Sequence, residues 1–199
     1  MRSARWALPF LCVAGTLAAQ SSSDLNGLVT AANHYVSSGM SSAHDPETLT
    51  LSKITGDSGS PFSGILMSSA TDVQHWTFLY KVAAGQPAPP AEDSADALPH
   101  HPAVLAECTK GVFGDFHYSN KAVTGVKSLE YTWVAVPLDA AIASLNAYGF
   151  VRGFQSVDLM RPSLPDFPDD YVYVFNCPWE RRQVAISCQN GSLVWTIGY

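Results

Sequence analysis

Basic residues are scarce. Lysine and arginine number 11 in 199 residues against 17 acids, and the only adjacent pair is Arg181 and Arg182. A phosphate backbone is held by clustered cations, so nucleic acid is excluded as a partner. Cysteine is also sparse, at four, and no Cys-x-x-Cys spacing occurs, which removes the strongest zinc and dithiol redox signatures. The apolar run over residues 6–17 falls short of the roughly 20 residues that a spanning helix needs. It follows Arg2 and Arg5 and ends on Ala18 and Ala19, the layout of a secretory signal peptide over residues 1–20. Cys12 lacks the preceding small residues of a lipoprotein cleavage site, so a released protein, secreted or periplasmic, is expected. Without the signal, nine basic residues face seventeen acids, a formal charge of −8, and three cysteines remain. One at least is therefore unpaired within the chain.

What is present is periodic. Asp24 is a good N-cap for a helix that places Leu25, Leu28, Ala32 and Val36 on one stripe and ends at Gly39. Leu49, Leu51 and Ile54 suggest a strand, followed by a Gly/Ser/Pro loop over 56–64. Trp76, Phe78 and Tyr80 alternate as a second strand. Residues 83–102 hold five of the thirteen prolines plus Glu92, Asp93 and Asp96, too little apolar surface to order itself, and read as a flexible insertion open to proteases. Residues 104–108 and 112–118 resume the strand pattern around Lys110-Gly111, and 131–136 suggests one more strand. Pro137 opens a second helix over 138–148, stopped by Gly149, and 154–160 reads as a strand.

The final stretch, residues 171–199, spells a three-strand meander. Tyr171, Tyr173, Phe175 and Cys177 alternate, and Asn190-Gly191 is a hairpin dipeptide. A tight turn there sets Cys188 opposite Leu193, Ile186 opposite Trp195 and Val184 opposite Ile197. A turn centred on Glu180 sets Cys177 opposite Val184 and Phe175 beside Ile186. One core face then holds Phe175, Ile186, Trp195 and Ile197 together. Cys177 and Cys188 lie about 13 Å apart along the strands, beyond the roughly 7 Å Cα limit of a disulfide.

The order of helix, strand, loop, aromatic strand, strand, Gly turn and strand occurs twice. A shift of 80 residues places Val104 on Val184, Cys108 on Cys188 and Gly111 on Gly191, and fails after the turn, where Asp115 lands on Trp195. The expected fold class is α+β, with two tandem helix-plus-antiparallel-sheet repeats. Residues 21–82 with 103–130 form the first and residues 131–199 the second. The helix over 138–149, the strand over 171–175 and the strand, polar turn and strand over 184–193 resemble a PepSY-type domain, a PepSY/cystatin-like helix across a small sheet. That resemblance implies an inhibitory or binding module, as in secreted peptidase propeptides and periplasmic proteins, and carries over no catalytic residue.

Candidate chemistry is thin. The residues Gly56-Asp57-Ser58-Gly59-Ser60-Pro61 resemble the serine segment of trypsin-like peptidases, and 30–34 echoes their histidine segment. Ser58 follows His34 by only 24 residues, whereas in that fold the two come from separate barrels. Cys108, Asp115 and His117 have the types of a thiol triad, but a hairpin at Lys110-Gly111 puts His117 about 13 Å from Cys108. His100-His101 lies in the proline-rich segment. Asp166, Asp169 and Asp170 lack the alternation of a calcium loop. Asn190-Gly191-Ser192 matches a glycosylation acceptor, in a dipeptide that the turn already explains. No cofactor or metal is implied. Trp179, Arg181 and Arg182 are of the types enriched at binding hot spots. A secreted noncatalytic module with a protein, peptide or envelope partner is therefore expected. The alternative is a small hydrolase or small-ligand enzyme with a site between the repeats, lined by those residues or Trp133.

Overall fold

The computed structural model describes residues 24–40, 49–60, 64–82, 103–119 and 123–199. The signal segment, the insertion over 83–102 and His100-His101 lie outside them. The fold is α+β, with two helices and one large antiparallel sheet. Helix α1 spans Leu25–Met40, its first turn closed by the Gly27 N–H donating to Asp24 Oδ1 at 3.0 Å. Strands β1 (Leu49–Asp57), β2 (His75–Val82), β3 (Ala103–Thr109) and β4 (Val112–Ser119) follow. Helix α2 (Leu138–Ala147) then precedes β5 (Ser156–Met160), β6 (Val172–Cys177), β7 (Arg182–Ser187) and β8 (Leu193–Gly198). The strands form one sheet in the order β4-β3-β2-β1-β5-β6-β7-β8, antiparallel at every junction.

Both helices cover the same face. Leu25, Leu28, Ala32 and Val36 of α1 and Leu138, Ala141, Ile142 and Leu145 of α2 join one core with Ile54, Trp76, Phe78, Tyr173, Phe175 and Ile186. The two most central phenols are satisfied: the Tyr80 hydroxyl donates to Asn33 Oδ1 at 2.9 Å and that of Tyr173 to the Val136 carbonyl at 3.2 Å, as buried tyrosines require. The opposite face carries a small cluster of Val172, Val174 and Ala185, with Met160, Val194 and Trp195 packed against it. Phe167 stands edge-on to Trp195, ring centroids 5.0 Å apart.

Four expectations need correction. The last hairpin is out by one face: Ala185 pairs with Trp195, Gln183 with Ile197 and Ile186 with Leu193. Cys188 cannot pair with Leu193 because its carbonyl accepts the N–H groups of Ala135 and Val136 and its N–H donates to the Tyr171 carbonyl. The ladder closes instead at Ser187, whose N–H donates to the Ser192 carbonyl at 2.8 Å, and Val194 becomes the unpaired residue of a bulge. Trp195 and Ile197 therefore leave the core face. The β6–β7 turn is two residues tighter than expected, pairing Phe175 with Val184 and Cys177 with Arg182. A shift of two keeps every side chain on its face. Cys108, Cys177 and Cys188 are all free and buried.

The other two corrections concern single segments. Residues 131–136 form not a strand but a 3₁₀ turn, Tyr131–Trp133, whose continuation docks on Cys188. Gly56 lies inside β1, not in a loop. A Cβ there would come within 2.6 Å of both Trp76 Cζ3 and Val73 Cγ1, so the glycine is the space into which Trp76 packs. Trp76 is 2% exposed and its rigid ring has nowhere to retreat. Gly56→Ala is expected to cost about 1–3 kcal/mol through overpacking, read as a lower urea midpoint at unchanged slope. A midpoint equal to wild type would place the Trp76 ring elsewhere.

Candidate binding surface

Pro178 ends β6, and the turn over 178–181 closes with the Arg181 N–H donating to the Pro178 carbonyl at 3.2 Å while Arg181 takes a φ of 51°. Arg181 is then fixed to the last strand, because its carbonyl accepts the Tyr199 N–H at 3.1 Å. The Arg182 guanidinium donates through Nη1 to Thr196 Oγ1 at 3.1 Å, and the Tyr199 hydroxyl donates to Asn176 Oδ1 at 2.7 Å. Trp179 and Tyr199 are each 65% exposed and Ile197 41%; both arginines are exposed. Ile197 and Tyr199 were not legible as surface residues because the bulge at Val194 decides their face.

From this corner a polar row crosses the uncovered side of the sheet in register, through Gln183, Asn176, Ser156, Asp57 and His75 to Thr109. Its neighbours neutralise one another. Asp158 takes the Lys53 ammonium at 2.8 Å and the Thr55 hydroxyl at 2.7 Å, so no strong field of one sign develops. Two clefts open on this side, one at the row and one about four residues further along the strands. One, of about 340 Å³, is lined by Asp57, Ser58, Ser60, Gln155, Ser156 and Asn176 among others. The second, of about 420 Å³, includes Lys53, Leu79, Leu105, Val126 and Met160.

Neither of the two candidate catalytic sets is assembled. Asp57 Oδ1 accepts the Gly59 N–H at 2.7 Å and Ser58 Oγ the Ser60 N–H at 3.4 Å, which makes the serine segment a turn. His34 is exposed on α1, on the helix-covered side. Cys108 pairs with Phe113 and points into the core, while His117 pairs with Leu105 on the other face, 3.9 Å from Glu107. Burial pushes the Cys108 thiol up, against a weaker pull from its hydrogen bond with the Gly111 backbone, the reverse of what a nucleophile needs. The side chain of Asp115 lies outside the described ones.

Nor do the acids of 166–170 converge. Asp169 is clamped by the Arg161 guanidinium at 2.7 Å and the Lys127 ammonium at 2.7 Å, and these hold its carboxyl below the usual range, Arg161 most strongly. Asp170 accepts the Ser187 hydroxyl at 2.8 Å. Among the described residues no group of three His, Cys, Asp or Glu side chains could hold a metal ion. Trp133 does not share a cleft with Trp179, Arg181 and Arg182. Its carbonyl accepts the Gln189 side-chain amide, beyond the far end of β7, a six-residue strand and so roughly 17 Å along. Asn190 turns its Oδ1 back to the Ser192 N–H at 2.9 Å. No family model, no curated protein and no solved structure matches the chain.

Proposed function

We propose that the chain is a secreted or periplasmic noncatalytic binding or inhibitory module, built of two tandem PepSY-like halves and recognising a protein, peptide or envelope component. The repeat reading is supported by the element order, one helix followed by four strands and then the same again, with β1 and β5 adjacent and antiparallel. No helix of the described residues is long and apolar enough to cross a membrane. The observation that carries the binding reading is the corner of Trp179, Arg181, Arg182, Ile197 and Tyr199. Large aromatic and guanidinium groups stand in solvent there on a hydrogen-bonded ladder, while the Cys108 thiol lies on the core face and His117 on the other.

The test combines capture and turnover. The mature protein, used as bait on the native secreted fraction, is expected to retain one saturable partner. Trp179→Ala with Arg181→Ala should weaken that binding by about tenfold or more while leaving the thermal midpoint nearly unchanged, because neither side chain is buried. A peptidase and esterase panel is expected to find no turnover. Activity that disappears in folded Ser58→Ala or Cys108→Ala protein would replace the binding reading with an enzymatic one.

A further inference from the structure

The two edges of the sheet are treated differently by the sequence. At the β4 edge, the Tyr35 hydroxyl donates to the Gly114 carbonyl, and the ladder is interrupted by an irregularity between Ala106 and Cys108. Such irregularities are one way of blunting an edge. At the β8 edge the bulge is confined to Val194, and residues 195–199 beyond it, Trp-Thr-Ile-Gly-Tyr, run in register and contain neither charge nor proline. The Tyr199 N–H is bound to the Arg181 carbonyl, so the antiparallel alternation makes 181/199, 183/197 and 185/195 the hydrogen-bonded pairs. The N–H and C=O of Thr196 and Gly198 therefore point away from β7. No strand lies beyond them among the described residues.

Beside this edge stand two cations without counter-charges. Neither Arg181 nor Arg182 is in an ion pair of the described residues, whose carboxylates pair instead with Lys53, Lys127, Arg161 and His117. Glu180, between Trp179 and Arg181, has Oε2 buried and unpartnered, and its charge acts on the Cys177 thiol. We propose that β8 is a docking edge that takes an extended peptide as a ninth antiparallel strand, with acidic side chains of that peptide held by Arg181, beside Tyr199, and by Arg182, on the face of Val184 and Thr196. Main-chain bonds to Thr196 and Gly198 supply the pairing, and the guanidiniums choose an acidic partner in a protein otherwise rich in acids. A second copy of the chain would bring no such complement, since its own β8 is uncharged and flanked by the same arginines. This rests on the reading of the chain as a binding module and names the class of its partner.

The probes are two fluorescein-labelled, end-blocked octapeptides of alternating Thr and Val, one with Asp at both ends and one with Lys. Fluorescence anisotropy with the mature protein should show the Asp peptide binding at least about tenfold more tightly, with the gap narrowing in salt and closing in Arg181→Ala/Arg182→Ala protein. Thr196→Pro removes an outward N–H, a position where an edge strand tolerates proline, and should weaken the Asp peptide by about tenfold or more. Independently of how that variant folds, N-methylation of the peptide on alternate residues should abolish binding for one alternation and spare it for the other. The proposal is overturned by equal affinities for the two peptides, by no saturable signal up to about 1 mM, or by indifference to N-methylation. It is also overturned if sedimentation shows a dimer that Thr196→Pro dissolves, which makes a second copy the occupant. If capture of the native partner is lost in the Trp179/Arg181 variant but intact in Thr196→Pro, the edge proposal falls and the binding reading stands.

Discussion

Phe175→Ala is expected to lower the unfolding free energy by about 3–5 kcal/mol, the range for a large aromatic deleted from a core. Phe175 is fully buried, meets Phe154 edge-on with centroids 5.0 Å apart and lies 6.3 Å from the Tyr173 ring. Its strand neighbours are Val157 and Val184, both buried, so the cavity left behind is walled by residues already locked in a ladder and cannot collapse. Against a total stability of roughly 5–15 kcal/mol, the loss should lower the thermal midpoint by roughly 10 °C or more. Trp195→Ala, a deletion of larger volume, should cost less. Trp195 is only partly buried, in the small cluster on the other face, so its deletion exposes a shallower cavity that water can reach. Urea unfolding of the two variants side by side decides between the faces. A Trp195 cost equal to or above that of Phe175 would restore it to the main core and contradict the register of β8.

That comparison also marks how far the chain was legible. Strong alternation of aromatic residues located β2 and β6, and Lys110-Gly111 located the β3–β4 hairpin, because two residues at positive φ, 51° and 81°, are a local requirement that Gly meets and most sequences do not. Asn190-Gly191 carried the same local signal and a different outcome. Only Gly191 takes positive φ, 73°, because the backbone of Cys188 is claimed by Ala135, Val136 and Tyr171, two of them more than fifty residues away. A competition between a nearby strand and a distant segment for one carbonyl has no local signature. Its result is a single-residue bulge, and with a side-chain period of two, one residue is enough to carry Trp195 and Ile197 out of the core. The candidate surface was read in part for the same reason. Trp179 and Arg181 belong to a turn whose exposure follows from local sequence, and Arg182 opens β7 directly after it, whereas Ile197 and Tyr199 reach the surface through that bulge.

At alkaline pH the protein is expected to lose stability earlier and more steeply than its surface carboxylates and lysines would dictate. Burial, with the Glu180 carboxylate as the lesser cause, pushes the Cys177 thiol up to about 12. Burial likewise raises Cys108 and Cys188, the latter helped by Asp170. Tyr131 is pushed up to about 12, by burial first and then by the charges of Cys188 and Asp24, and burial raises Tyr80 and Tyr173 further. All six groups hold their protons more tightly folded than unfolded. Their contribution is therefore fully present below the unfolded values, about 8.5 for a thiol and 10 for a phenol, and declines as pH rises towards the folded values. Each titrating group can remove at most about 1.4 kcal/mol per pH unit, so the three thiols together set an upper slope of about 4 kcal/mol per unit above pH 9. Urea midpoints measured from pH 7 to 11 should stay level to about 8.5 and then fall, and replacing the three cysteines by alanine should flatten the first part of that fall. In the same range the native thiols should react with a disulfide reagent only as fast as the chain unfolds. A native thiol that reacts at once at neutral pH would mean an ionised, accessible sulfur, and if that sulfur belonged to Cys108 it would restore the nucleophile that its burial against Phe113 and Trp76 removes.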